Sequence, residues 1–440
     1  MRANSVNGNG SADPIVISGI AVEAPGGIDT PSALWSALTD ARELIGPFPR
    51  DRGWRIDDLL SLHHMDGWGH VRDAGGFLDG AAAFDPSFFG ITQREARVMH
   101  PQQRVALRVA WKALENSGIN PGTLAGAEGG CFIGMSVMEY GPHSATADDY
   151  SGHRIVGVGQ LGGAGRISHC IGLTGPSMAV DSACASSLTA LQLATTSVQT
   201  GECEWALAGA ACVMGSPAAF YEFARLNALS DDGHCRAYSD DASGTVWGEG
   251  AGMVLVERES RARQLGHRIY GRILAVRTNH NGKGKPILVP RERAQEQLMR
   301  KTIDAAGIDP ADVGMIEGHG TATAAGDPVE LLALFKTYGA SGCGALLGSL
   351  KSNVGHAQAA SGILGLIKLL LAGQHGQIPP TLFADNPNKL LDWDLTGLRL
   401  ATKLHEWEPR DGVRYGAVSS FGAGGANAHA IIAMPASPGE

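Results

Sequence analysis

The chain has no Cys-x-x-Cys pair among its seven cysteines. That odd count argues against a disulfide framework and for a reducing, cytoplasmic setting. No apolar run approaches the length of a membrane span. Residues 1–12 are polar and rich in Gly, Asn and Ser, without the apolar stretch of a signal peptide. Basic charge is also scarce: 35 Lys and Arg stand against 44 Asp and Glu, and a net charge of −9 argues against general nucleic-acid binding. His63, His64 and His70 crowd one polar segment with no matching ligand cluster, so they read as solvated loop histidines rather than a metal site.

What is present fits a large core. Of 440 residues, 44% are apolar and 18% charged, an ordinary globular balance. Many of the 61 glycines fall in loops between apolar runs. The length suggests two or three domains, yet a duplicated α/β fold carries it as one unit. Strand-like runs at 15–17, 130–133, 177–180, 205–213 and 252–256 alternate with helical ones at 32–39, 102–117 and 188–200. A second series follows: strands at 268–276, 315–316, 345–348, 415–419 and 428–432, with helices at 293–306, 328–338 and 359–372. The expected organisation is a disordered tail over 1–12, one half over 13–267, a second over 268–434, and a short tail over 435–440. Strand, tight turn and helix recur around Cys184 and again around Gly355-His356, a weak internal repeat.

Three loops carry chemistry. Val180-Asp181-Ser182-Ala183-Cys184-Ala185-Ser186-Ser187 sets a cysteine between a strand and an Ala/Leu-rich helix. Unpaired N–H groups at a helix start favour thiolate over thiol, and small neighbours allow close approach to the sulfur. An inert buried cysteine is the competing reading. Glu317-Gly318-His319-Gly320-Thr321-Ala322-Thr323 places a histidine in a Gly/Thr loop after a strand. Lys351-Ser352-Asn353-Val354-Gly355-His356 places another at the mouth of a long apolar helix. Either histidine alone reads as structural. Three such loops at strand ends, where parallel α/β sheets bind ligands, converge on one site.

With Phe88-Phe89-Gly90-Ile91, Pro101-Gln102-Gln103-Arg104, Gly248-Glu249-Gly250-Ala251-Gly252 and Ser420-Phe421-Gly422-Ala423-Gly424-Gly425-Ala426-Asn427, these motifs resemble a β-ketoacyl synthase of the thiolase superfamily. The Gly326-Asp327-Pro328 run and the Lys-Ser-Asn-x-Gly-His form resemble ketosynthase domains of modular type I polyketide synthases. The resemblance implies a thiolase fold of two similar α/β halves in αβαβα layers, and a homodimer. It further implies that Cys184 takes an acyl group from the phosphopantetheine arm of an acyl carrier protein, with no resident cofactor and no metal. His319 and His356 would serve the decarboxylative step, and Lys351 would orient its loop and hold His356 in a useful protonation state, or pair with Glu317. The N–H groups of Cys184 and Phe421 would form the oxyanion hole. Thr321, Thr323, Asn279 and Phe421 would bind the pantetheine and acyl chain.

Several positions depart from that pattern: Gly318, Ala322, Ala426, His100, Ser243, and the turn Asn279-His280-Asn281-Gly282 with the basic and apolar 283–290 behind it. Lys283, Lys285, Arg291 and Arg293 are candidates for docking an acidic carrier helix. The chain carries no recognisable acyltransferase or carrier segment, so the expectation is a free-standing enzyme of specialised metabolism. Decarboxylative Claisen condensation is the leading chemistry. The alternative is an aldol-type cyclisation with lactone-forming release, as in the ketosynthase-like cyclase of salinosporamide-type assembly. A non-catalytic partner of the chain-length-factor kind is a third reading, disfavoured by Cys184, His319 and His356.

Overall fold

The computed structural model describes residues 13–141, 147–342 and 344–436. The tail expected over 1–12 lies outside the described residues, as do residues 437–440 of the second tail. Pro435 itself closes a strand, and the Ala436 N–H donates to the Gly412 carbonyl at 2.9 Å.

The first series of strands comprises β1 (Ile15–Glu23), β2 (Gly129–Gly134), β3 (Ser177–Val180), β4 (Trp205–Cys212) and β5 (Gly250–Arg258). The second comprises β6 (Gly271–His280), β7 (Val313–Glu317), β8 (Ala345–Gly348), the short β9 (Gln377–Ile378), β10 (Leu398–Leu400) and β11 (His405–Glu406), then β12 (Val413–Phe421) and β13 (Ala426–Pro435). Across the main sheet the order is β10-β8-β7-β12-β13-β6-β1-β5-β4-β2-β3, with β9 and β11 forming a separate ribbon. Outwards from the centre the two halves repeat one plan. The first strand pairs antiparallel with the last (β1 with β5, β6 with β13), which pairs antiparallel with the one before it. Two parallel pairings then follow on each side, and in the second half β10 adds a third beyond β8. β1 and β6 meet antiparallel through Val16–Arg272 and Ile17–Gly271, which sets the local dyad between them. The repeat legible around Cys184 and His356 is thus a repeat of whole sheets.

The helices make the other layers. We number them α1 (Pro101–Asn116), α2 (Leu161–Ile171), α3 (Ser186–Thr200), α4 (Glu292–Ala306), α5 (Gly326–Thr337) and α6 (Ser361–His375). Every residue of α6 from Ser361 to Gly373 is buried; a helix apolar all round belongs between two layers, not on a surface. α3 packs beside it, touching strands of both halves. α1 and α2 cover the outer face of the first half, and α4, joined by α5, that of the second. α4 shows one buried face, with Leu298, Met299, Thr302 and Ile303 inside. Strands β4 and β5, covered on both sides, are buried almost throughout, as such strands require.

Most elements fall within a few residues of their expected places. α2 and the helix Ala218–Arg225 were not anticipated. The sequence of α2 carries three glycines, which lower its intrinsic helix preference, and packing on β2, β3 and α1 supplies what propensity lacks.

α3 and α6, one from each half, pack against each other. The Ile363 N–H donates to Ser187 Oγ at 3.0 Å. A Cβ on Gly362 would stand 2.8 Å from both Leu188 Cγ and Ser187 Oγ. Gly362→Val should therefore destabilise the protein by about 1–3 kcal/mol through overpacking, seen as a lower denaturant midpoint. An unchanged midpoint would show that the contact yields freely.

Candidate active site

Cys184 sits on a tight elbow between β3 and α3. Asp181 Oδ1 accepts the Ala183 N–H at 2.9 Å, and Ala183 adopts a left-handed φ of 53°. Ser186 Oγ donates to the Ala183 carbonyl at 2.6 Å and accepts the Ser182 N–H at 2.9 Å. These bonds hold a backbone conformation that a non-glycine residue otherwise avoids. The Cys184 carbonyl is held by Ser420 Oγ at 2.6 Å, across the boundary between the halves.

The sulfur is buried, and burial pushes the thiol up to about 11 against the opposing Lys351 charge and the N–H groups of Ala423 and Cys184. Loss of water thus opposes the thiolate that a helix start favours. Alkylation of Cys184 by iodoacetamide should accordingly rise about tenfold per pH unit between pH 7 and 9. A rate already flat at pH 7 would instead show a thiolate there.

One ring nitrogen each of His319 and His356 and the Cys184 sulfur lie within 4.8 Å of one another. The two rings stand edge to face, with centroids 5.4 Å apart. His319 Nδ1 faces the Phe421 N–H at 3.4 Å. His356 Nδ1 accepts the Gln358 N–H at 3.1 Å and lies 2.8 Å from Ser361 Oγ. Burial first, then the Lys351 charge, lowers both imidazoles well below their usual range, so both are neutral at pH 7. With Nδ1 accepting, each neutral ring carries its proton on Nε2 and presents a donor.

Lys351 is buried and depressed by desolvation, with Glu317 and Glu330 opposing. The Glu317 pairing considered for it is taken instead by Lys368, whose Nζ lies 2.7 Å from Glu317 Oε2 with both side chains buried. Glu317 Oε1 also accepts the Leu350 N–H at 2.6 Å, tying the two histidine loops together. Cys, His and His are also a donor set that zinc accepts, but the neighbouring ammonium opposes a divalent cation in the same space.

Sequence reasoning gave no role to the carboxylates that shape the His319 loop. Glu330 Oε1 accepts the His319 N–H at 2.7 Å, and Oε2 accepts the Gly320 N–H at 2.8 Å and the Tyr238 hydroxyl at 2.9 Å. Asp327, pushed up to about 7 by burial, accepts the N–H groups of Ala322 and Tyr238 at 3.0 and 2.7 Å. The available signal was an acidic pair at the start of the helix that follows the loop. Two departures gain a reason here. Gly318 leaves the space that the Tyr238 hydroxyl fills, which any Cβ would occupy. Ala322 holds a left-handed φ of 61°, where the resembled pattern has glycine, secured by its bond to Asp327. His100 caps α1 by accepting the Gln102 N–H on Nδ1 at 3.1 Å, a task an aspartate also performs.

The three groups open into a cavity of about 210 Å³, also lined by Thr321, Thr323, Phe421, Ala423, Phe223, Trp247, Leu288 and Pro290. Thr321 and Thr323 bond to each other through their hydroxyls at 3.1 Å. The Phe421 N–H faces His319 Nδ1 at 3.4 Å, while the N–H groups of Cys184 and Ala423 face the sulfur. One expected role needs correction. Asn279 does not line the cavity: it donates to the Ala294 carbonyl at 2.7 Å and accepts from Asn427 at 3.0 Å, while Asn281 and Asn427 reach the wall. His63, His64 and His70 lie exposed, with the His63 and His70 rings stacked at 4.5 Å.

Duplicated half-sheets around two buried helices, with the cysteine at the mouth of one and a histidine at the mouth of the other, define the thiolase fold. Within it, the chain belongs to the β-ketoacyl synthase family: residues 12–262 match the family's N-terminal domain and residues 270–385 its C-terminal domain. It is 43% identical over 425 residues to polyketide synthase GfsA of Streptomyces halstedii, and 42% over 428 residues to erythronolide synthase EryA2 of Saccharopolyspora erythraea. Each alignment covers 96% of this chain but 6% and 12% of those proteins, so the chain spans a small part of their length. Among solved structures it resembles the oxazolomycin ketosynthase domain OzmH KS7 of Streptomyces albus (TM-score 0.88, 36% identity, 97% of this chain and 76% of that one). It likewise resembles the ketosynthase from module 6 of the bacillaene synthase of Bacillus subtilis (TM-score 0.86, 33% identity, 96% and 72%). No helix among the described residues is long and apolar enough to cross a membrane.

Proposed function

We propose that this chain catalyses decarboxylative Claisen condensation in polyketide-type specialised metabolism, with Cys184 as the acyl carrier. The convergence of one sulfur and two imidazoles within 4.8 Å, in a cavity with mostly apolar walls, carries the reading. The Cys184 sulfur attacks the thioester of a carrier-bound acyl chain, and the N–H groups of Cys184 and of the Phe421–Ala423 turn serve the oxygen that becomes negative. The tetrahedral adduct collapses, the pantetheine thiol leaves with the proton given up by Cys184, and the acyl group stays on sulfur. A malonyl-type extender on a second arm then loses CO₂. The Nε2–H groups of His319 and His356 donate to the enolate oxygen, the carbanion attacks the acyl carbonyl, and the Cys184 sulfur is released.

Neutral imidazoles suit that step, since they donate without adding positive charge to a buried space; burial, with the Lys351 charge, keeps them neutral. Thr321 and Thr323 line the route for the pantetheine amides. Lys283, Lys285 and Arg293, exposed beside the cavity rim, fit an acidic carrier protein. A homodimer is supported by the free edge of β3, where Met178 is 43% exposed with Val137 exposed nearby; such an edge is a template for a second copy.

A cyclase reading draws on Leu288 and Pro290, which bring the departing loop onto the cavity wall. One experiment tests both. The protein is incubated with an acyl-carrier thioester, with and without malonyl carrier, and products are weighed. Extender-dependent mass gain supports condensation; a cyclic product without extender replaces it with cyclisation. Selective labelling of Cys184 by cerulenin would further separate either enzyme from a non-catalytic partner.

A further inference from the structure

Buried polar atoms are nearly always paired, so those left without partners call for a reason. Two residues that line the Cys184 cavity each carry such an atom, sealed from water just behind its wall. Gln295 is 2% exposed and its Oε1 has no partner among the described residues; Thr245 is 1% exposed and its Oγ1 has none either. Their neighbours differ. The Asn279, Asn281 and Asn427 side chains bond among themselves, and the Thr321 and Thr323 hydroxyls bond to each other. The Gln295 amide and the Thr245 hydroxyl have no such company.

We propose that Gln295 and Thr245 are specificity residues that hydrogen-bond the acyl chain, so that the cavity selects a thioester whose acyl group bears hydroxyl or amide groups over a plain alkyl one. Thr245 lines the cavity with Phe223, Ala228 and Trp247, whose ring is tilted against that of His356 with centroids 5.0 Å apart. An alkyl chain threading past these side chains satisfies the wall but leaves both polar groups dry. A chain with a hydroxyl at matching depth donates to Gln295 Oε1 or exchanges a bond with Thr245. A site built to pair with a hydroxyl rejects the analogue lacking it, because its own groups then stay unpaired. This inference rests on the acyl-thioester reading above, but it is a statement about binding and is testable without turnover.

The probes are unreactive pantetheine thioethers carrying a hexyl chain, or the same chain with one hydroxyl at each position in turn. Binding is measured by calorimetry to the wild-type protein, Gln295→Leu and Thr245→Val. At least one hydroxylated probe should bind the wild type about tenfold or more tighter than the hexyl probe, and one or both variants should erase that preference. Melting temperatures should hold or rise, since an unpaired buried polar group is replaced by an apolar one of similar shape. Three results overturn the proposal: no preference in the wild type; equal weakening of plain and hydroxylated probes, which places the contact on the pantetheine amides; or a marked fall in melting temperature, which makes the residues structural. Failure of Cys184 to acylate in a parallel assay with the matching thioesters would count against the function proposed above and leave the binding comparison standing.

Discussion

Cys184→Ala protein, mixed with an acyl-pantetheine thioester, is expected to gain no acyl mass and to form no condensation product. Turnover should drop by at least about 10³-fold, the scale on which removing a covalent nucleophile acts. No other described cysteine is placed to substitute. Cys212 is fully buried, and desolvation with the Glu249 charge holds it well above the ordinary range. Cys235 is pushed up to about 12. Neither lines the cavity. The fold should tolerate the change, because the elbow is held by Asp181, Ser186 and Ser420 through backbone groups that alanine keeps. Intact-mass spectrometry reads the result directly. Acyl uptake by the variant at the wild-type rate would remove the sulfur from the mechanism.

His356→Ala should separate the two halves of the reaction. Acyl transfer to Cys184, on the proposed mechanism, uses N–H groups of the elbow and of the Phe421–Ala423 turn and should stay within a few-fold. Decarboxylation of the extender relies on donors at the enolate oxygen, and losing one should cost about 10²–10³ in rate. His356→Gln, which restores an N–H donor, should recover part of that loss. The quantities to compare are acyl-enzyme formed per minute and CO₂ released from malonyl carrier. Equal loss of both would assign His356 to loading. Loss of neither would move the carbon–carbon step elsewhere, with His319→Ala as the next test. A cyclising enzyme, which uses no extender, would show no CO₂ release in any variant.

Much of this was legible along the chain because the signals are local. Strands such as 177–180 and 345–348 are short apolar runs bounded by turn residues, and α6 is a long apolar helix entered through a glycine loop. Each chemical loop sits where a strand ends and a helix begins, so the periodicity that marks the elements also marks the site. α2 escaped notice because its three glycines suppress the local signal that packing later overrides. Which N–H groups face the sulfur was not legible, for a different reason. Phe421 and Ala423 are two residues apart in one glycine turn, and which N–H faces the sulfur depends on how that turn is set against the elbow by Ser420. Asn279 was misplaced likewise, since its side chain turns toward α4 rather than the cavity.

Composition, periodicity and motif spacing by themselves determined alternating strands and helices with a weak internal repeat, and a cysteine and two histidines on separate loops at strand ends. They determined this because propensity, burial pattern and turn chemistry act over a few residues at a time. Tertiary structure alone decided the protonation states, the carboxylate braces and the unpaired groups behind the cavity wall. Burial raises the Cys184 thiol and neutralises the histidines, Glu317 goes to Lys368 rather than Lys351, and Gln295 is left without a partner. Each of these depends on how much water is excluded and which distant side chain arrives within about 3 Å, quantities that no single stretch of chain contains.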